Sequence, residues 1–73
     1  FPNPSKSKVS IFNKNNQNLE NATIYDISGR IVLFQKLNNI DSTEIDISKL
    51  TSGNYIITIK TENGKVDKKL IKN

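Results

Sequence analysis

The sequence predicts an all-β protein, a small immunoglobulin-like antiparallel β-sandwich of about six to seven short strands. Three observations favour this fold. Apolar and polar residues alternate over short segments, turn-forming glycine, asparagine and serine separate those segments, and no useful length of the chain has a helical period. A chain of 73 residues has room for only one small core, so we expect a single domain.

The alternation predicts both the strands and the core. In the fifth strand Tyr55, Ile57 and Ile59 point to one face, and they are the firmest core candidates. The third strand, from Ile31 to Phe34, is apolar on both faces, so we expect it to be central in its sheet or covered on both sides. The predicted strands span residues 8–13, 20–26, 31–34, 43–47, 54–62 and 65–71.

Turn residues predict how these strands connect. Gly29 supplies the positive φ of a hairpin between the second and third strands. Asn63-Gly64 is typical of a type I′ hairpin, so the last strand returns antiparallel to the fifth. The alternation of residues 68–71 is broken, which indicates an edge strand that ends in a frayed tail.

Leu50, Gly53 and Tyr55 have the spacing of the corner in immunoglobulin-like folds, in which a tyrosine hydroxyl bonds to backbone a few residues upstream. We therefore predict that the Tyr55 hydroxyl reaches the backbone of residues 48–52. The alternative is a tyrosine that only packs its ring in the core. At the other end of the chain, two prolines predict an extended lead-in over residues 1–7, ahead of a domain over residues 8–73.

Composition excludes several classes of function. The chain has no cysteine and no histidine, which excludes zinc enzymes and triad hydrolases. Glu44 and Asp46 share a strand face, but a domain of this size cannot also build a sugar cleft around them. Together with Asp41 they have the oxygen ligands for weak calcium binding but lack the spacing of a calcium loop, so we expect solvated acids that balance lysines across strands. We therefore expect no enzyme, no catalytic residue, no metal and no cofactor.

The net charge of +4 raises the question of nucleic acid. Ten of the eleven cations are lysines spread along the chain, and Arg30 is the single arginine. Because the few aromatic residues are needed in the core, we expect a solvated lysine face and no nucleic-acid partner. No apolar run is long enough for a membrane span or a signal peptide. The chain also lacks methionine, so we expect it to be a piece of a longer polypeptide.

Four segments together resemble the type A C-terminal sorting domain of the type IX (Por) secretion system of Bacteroidota. They are FPNP at residues 1–4, IYDISGRIV at 24–32, IDISKLTSGNY at 45–55 and KKLIKN at 68–73. The resemblance covers the whole chain, and its departures are slight, with phenylalanine at position 1 where tyrosine is commoner.

The resemblance implies a secretion signal without catalytic activity. Such a domain directs an N-terminal cargo domain of the same chain from the periplasm through the outer-membrane translocon, to the cell surface or the medium. The partners implied are the translocon, its shuttle proteins and a sortase-like surface peptidase. A fold without disulfides suits this route, because it does not depend on periplasmic oxidation.

Two sets of residues follow as candidates. The last strand offers a free edge for strand addition and lysines that steer it to an acidic receptor, or lysines that only prevent edge-to-edge aggregation. The residues expected for recognition are Lys68, Lys69, Leu70, Ile71, Lys72 and Asn73. The residues expected to maintain the fold and the cargo junction are Pro2, Asn3, Pro4, Asp26, Gly29, Leu50, Gly53, Tyr55 and Gly64.

Two other functions remain open from the residues alone. An immunoglobulin-like adhesion or carbohydrate-binding module of a secreted protein would have a cluster of exposed aromatic residues on one sheet face. A structural spacer would be dispensable for localisation.

Overall fold

The structure, a computed structural model, describes residues 7–12, 18–38 and 42–73. Within these ranges no helix is long and apolar enough to cross a membrane. The described chain is all-β, as predicted. Its strands are β1 (Lys8–Phe12), β2 (Leu19–Asp26), β3 (Ile31–Lys36), β4 (Ser42–Asp46), β5 (Gly53–Thr61) and β6 (Gly64–Lys72).

The strands form two antiparallel sheets, which confirms the predicted sandwich. One sheet has four strands in the order β3-β2-β5-β6, and the other pairs β1 with β4. In the larger sheet Ile24 pairs with Ile57, while Tyr25 pairs with Ile56. Since paired residues share a face and successive residues alternate, the first pair faces the core and the second lies on the outer face.

One apolar core lies between the sheets. The predicted core residues Tyr55, Ile57 and Ile59 are all buried, and Ile45 and Ile47 at the end of β4 are fully enclosed. Partly buried residues of β1, β3 and the β4–β5 connection pack around this cluster. The buried members are Leu19, Ala22, Ile24, Leu37, Ile45, Ile47, Tyr55, Ile57, Ile59 and Leu70.

The position predicted for the third strand is wrong. β3 is an edge strand, and its apolar residues Ile31, Val32 and Phe34 are exposed. Strand β2 takes the interior position because it pairs with both β3 and β5. No described element packs on the outer face of β3, which is why these apolar side chains stay exposed.

The last hairpin forms, but two details differ from the prediction. Its turn is at Glu62 and Asn63, one residue earlier than expected, and Gly64 begins β6 with a φ of 136°. The tail is not frayed, because β6 pairs with β5 as far as Lys72 opposite Gly53. The strand is at the edge of its sheet, as predicted.

Candidate functional site at one end of the sandwich

Five of the residues expected to maintain the fold meet at one end of the sandwich, which we call the motif end. It consists of the β2–β3 turn, the β4–β5 connection and the start of β5, and Asp26 pairs with Tyr55 across it. An open groove of about 300 Å³ separates the turn from the connection. The groove is lined by Asp26, Ile27, Thr51, Ser52, Gly53, Asn54 and Tyr55.

Asp26 organises the β2–β3 turn with its carboxylate. One oxygen accepts hydrogen bonds from the Ser28 amide (3.0 Å), the Ser28 hydroxyl (2.7 Å) and the Arg30 amide (3.0 Å). The other accepts from the Arg30 side chain at 3.0 Å. These bonds, with that of the Ser28 hydroxyl the largest contribution, lower the pKa of Asp26 from 3.8 to about 2. The carboxylate is therefore ionised and fully engaged in holding the turn.

Gly29 closes the same turn. Its amide donates to the Asp26 carbonyl at 3.0 Å, and its φ is 90°, which confirms the predicted positive φ. A Cβ at this position would meet no other atom within 4 Å. The requirement for glycine is therefore one of backbone conformation and not of space.

The corner predicted from Tyr55 is confirmed. Its hydroxyl donates to the Thr51 carbonyl oxygen at 2.6 Å and lies 3.2 Å from the Thr51 hydroxyl. The ring is buried in the core. The side chain thus fixes the β4–β5 connection to the start of β5, where Gly53 has a φ of 155°.

The connection begins with a second aspartate turn. The Asp46 carboxylate accepts from the Ser48 amide at 2.9 Å. Hydrogen bonding by Ser48, with smaller contributions from the charges of Lys8 and Lys49, lowers the pKa of Asp46. Ile47 follows, and its amide donates to the Ser7 carbonyl at 2.7 Å, so the point where the described chain enters the domain is fixed here.

Lys72 binds the same connection from the other sheet. The side chain is buried, and its ammonium donates to the carbonyl oxygens of Ile47 (3.2 Å), Ser48 (3.4 Å) and Leu50 (3.1 Å). An ammonium has three N–H donors, so these contacts replace the water that burial removes. Leu50, a candidate from the sequence, therefore contributes to the motif end through its backbone carbonyl oxygen, which accepts from Lys72.

The residues expected for recognition divide into two groups in the structure. Lys68, Lys69 and Asn73 are exposed, and Ile71 is half-buried. Leu70 lies in the core and Lys72 is buried. In the folded domain, the expectation that Lys72 steers the strand towards a receptor is therefore wrong, since its charge is held by backbone carbonyls.

Two other groups of candidates lie away from the motif end. Gly64 pairs with Thr61, at the opposite end of β5 from Tyr55. Pro2, Asn3 and Pro4 lie outside the described residues, so their expected role at the cargo junction is still a prediction.

Sequence reasoning missed several residues of the motif end: Ser28, Asp46, Ile47 and Thr51. One signal was available, because Asp-Ile-Ser occurs twice, at residues 26–28 and 46–48. An aspartate that accepts from the amide two residues later is a common turn device. Both copies form this turn, each at the end of a strand.

The carboxylates at the motif end are engaged in holding the fold. Among the described residues, no group of three or more aspartate or glutamate side chains is arranged to hold a metal ion. Two carboxylates are engaged in turns, and the exposed Glu44 and Glu20 form ion pairs with Lys8 and Lys60, each at 3.6 Å.

The family of the chain emerges from comparison with known proteins. A family model described as "Secretion system C-terminal sorting domain" matches residues 1–73, the whole length. Neither the curated proteins nor the solved structures gave a match.

Proposed function

The chain belongs to the family of secretion system C-terminal sorting domains, those of the type IX system, and we propose that it is a non-catalytic label that exports a larger cargo protein. Membership implies export across the outer membrane, to the cell surface or the medium. The finer proposal is that cargo and label cross the periplasm together. In the periplasm, shuttle proteins and the translocon recognise the folded sorting domain. At the cell surface, a sortase-like peptidase acts on it.

The match over the whole chain is the observation that carries this proposal. The motif end supports it physically. The residues by which the sequence resembles the family are engaged in fixing a turn, a corner and the chain entry, through Asp26, Tyr55 and Ile47. Residues with that role preserve a folded surface, which is what a receptor would read.

The exposed part of β6 is the recognition surface that we propose on this strand. Lys68 and Lys69 are exposed on an edge strand, where cations favour the approach of an acidic receptor. Leu70 and Lys72 act inside the fold instead. Deleting residues 70–73 would therefore remove a core residue and a buried ammonium, and loss of export would not separate recognition from folding.

Export of a reporter tests the function. Residues 1–73 are fused behind a periplasmic reporter in a bacterium that has the type IX apparatus, and in a strain without it. We expect the reporter outside the first strain and retained in the second. The same distribution in both strains would contradict the proposal, and retention in both would favour a spacer.

A charge reversal then tests β6. Lys68→Glu is compared with Lys65→Glu, which makes the same change at an exposed lysine of the same strand, outside residues 68–73. We expect Lys68→Glu to reduce export more, with both proteins folded by circular dichroism. If both variants are exported equally, Lys68 and Lys69 are not a recognition surface and serve only to prevent aggregation.

One observation favours the alternative of a carbohydrate-binding module. Phe34 and Tyr25 lie on the outer face of adjacent strands, paired with Thr23 and Ile31. Phe34 is exposed and Tyr25 is half-buried. A glycan-array signal of the isolated domain that disappears in Phe34→Ala would support this function.

A further inference from the structure

The free edge of β3 is apolar, and we call Ile31, Val32 and Phe34 the β3 surface. Ile31 is 62% exposed and Phe34 is 57% exposed, although both are large apolar side chains. Among the described strands β3 pairs with β2 alone, so half of its backbone groups point away from that sheet. The register shifts at Val32, which leaves a regular ladder from Leu33 to Lys36 along the free edge.

The other edge of the same sheet has the opposite character. β6 presents exposed charged side chains at Lys65, Asp67, Lys68 and Lys69, a composition that discourages pairing with another strand. On β3, no charge lies between Arg30 and Lys36, the residues at the ends of the apolar run. The two edges therefore differ in how readily they accept a further strand, and β3 is the open one.

Charge decides which kind of strand fits β3. Arg30 and Lys36 are both exposed and stand at opposite ends of the β3 surface. In a second copy of this chain, the antiparallel register centred on Leu33 pairs most of the strand. That register brings Lys36 of each copy opposite Arg30 of the other, and the charge of Arg30 is already balanced by Asp26, so a second copy offers Lys36 no opposite charge within β3. A lipid surface supplies no backbone groups for the unpaired ladder.

We propose that β3 is a second docking edge, which accepts an extended segment of a partner protein with apolar residues at its centre and an acidic residue opposite Lys36. The added segment would continue the four-stranded sheet. Its side chains would cover Ile31 and Phe34, and its carboxylate would face Lys36. The inference rests on the proposed export function and is separate from the role proposed for β6.

The export reporter tests this with two double variants that make identical chemical changes. Ile31→Thr/Val32→Thr alters β3, and Ile56→Thr/Val66→Thr alters exposed residues of β5 and β6. Threonine keeps the preference for strand conformation. We expect export of the first to fall about tenfold relative to the second, as when apolar anchors of an interface are lost. Thermal unfolding of both proteins verifies that they fold.

A charge pair completes the test and remains informative if a threonine variant does not fold. Lys36→Glu should reduce export, and Lys65→Glu, at an exposed site on β6, should not. The proposal is overturned if the wild-type reporter is exported while the β3 variants match their controls. It is also overturned if β3 substitutions abolish a concentration-dependent dimer, or binding to anionic lipid vesicles, in place of export. Failure of the wild-type reporter itself would instead reject the export function.

Discussion

The ammonium of Lys72 lies 3.2 Å from the carbonyl oxygen of Ile47, and the amide of Ile47 bonds to the Ser7 carbonyl at 2.7 Å. One peptide segment thus holds both the entry of the described chain and the end of its last strand. Lys72 therefore has a structural role that the lysine-rich composition of β6 conceals.

We predict that Lys72→Met lowers the free energy of unfolding by about 1–3 kcal/mol, because it leaves the carbonyls of Ile47, Ser48 and Leu50 without their shared donor. Lys68→Met, at an exposed site of the same strand, should change it by less than about 0.5 kcal/mol. Urea denaturation of both variants measures the difference. Equal stability of the two would show that the buried ammonium contributes nothing.

Tyr55→Phe should lower the free energy of unfolding by about 1–2 kcal/mol, because the ring stays in the core while the bond to the Thr51 carbonyl is lost. The matched control is Tyr25→Phe, which removes a hydroxyl from a half-buried side chain outside the corner. Thermal unfolding distinguishes the two variants. If the corner does not contribute to stability, both variants will have the same midpoint temperature.

Acid should destabilise the domain through Asp26. Its pKa is about 2 in the folded protein, below the ordinary value of 3.8, so the unfolded chain binds a proton first as pH falls. The stabilisation is complete above about pH 4 and is lost as pH falls towards 2. Asp46, whose pKa is also lowered, acts in the same direction.

In Asp26→Asn we expect a shallower loss of stability over this pH range than in the wild-type protein, measured by urea unfolding at a series of pH values. Glu62→Gln is the control, at a carboxylate in the hairpin at the other end of β5. An identical pH dependence of the wild-type protein and Asp26→Asn would contradict the assignment.

Gly29→Ala should cost about 1–2 kcal/mol, because an L-residue is strained at a φ of 90°. Gly29→Asn should cost less, since asparagine tolerates positive φ better than alanine. Chemical denaturation ranks the variants, and alanine equal to the wild type would mean that the turn relaxes to another conformation.

Local patterns predicted the strands, the Gly29 turn and the Tyr55 corner, because each depends on residues close together in the sequence. The repeated Asp-Ile-Ser segment shows where such reasoning ends. Both copies form the same turn, yet Ile27 is 85% exposed and Ile47 is fully buried. Which of them meets the opposite sheet depends on the order of the strands, and a tripeptide contains no information about that order.

The same limit explains β3 and Lys72. Apolar residues on both faces of a strand fit a covered strand, but they equally fit an edge that awaits a partner. A lysine near the end of a basic segment looks solvated, and only the register of β6 with β5 brings it beneath the carbonyls of residues 47, 48 and 50. Both features arise from contacts between distant parts of the chain.

The shared attachment at Ile47 has a mechanical consequence. Tension applied to the chain ahead of Ser7 would act on the amide of Ile47, and the carbonyl of the same residue accepts from Lys72 at the end of β6. A pulling force on the cargo side would in this way be transmitted to the four-stranded sheet.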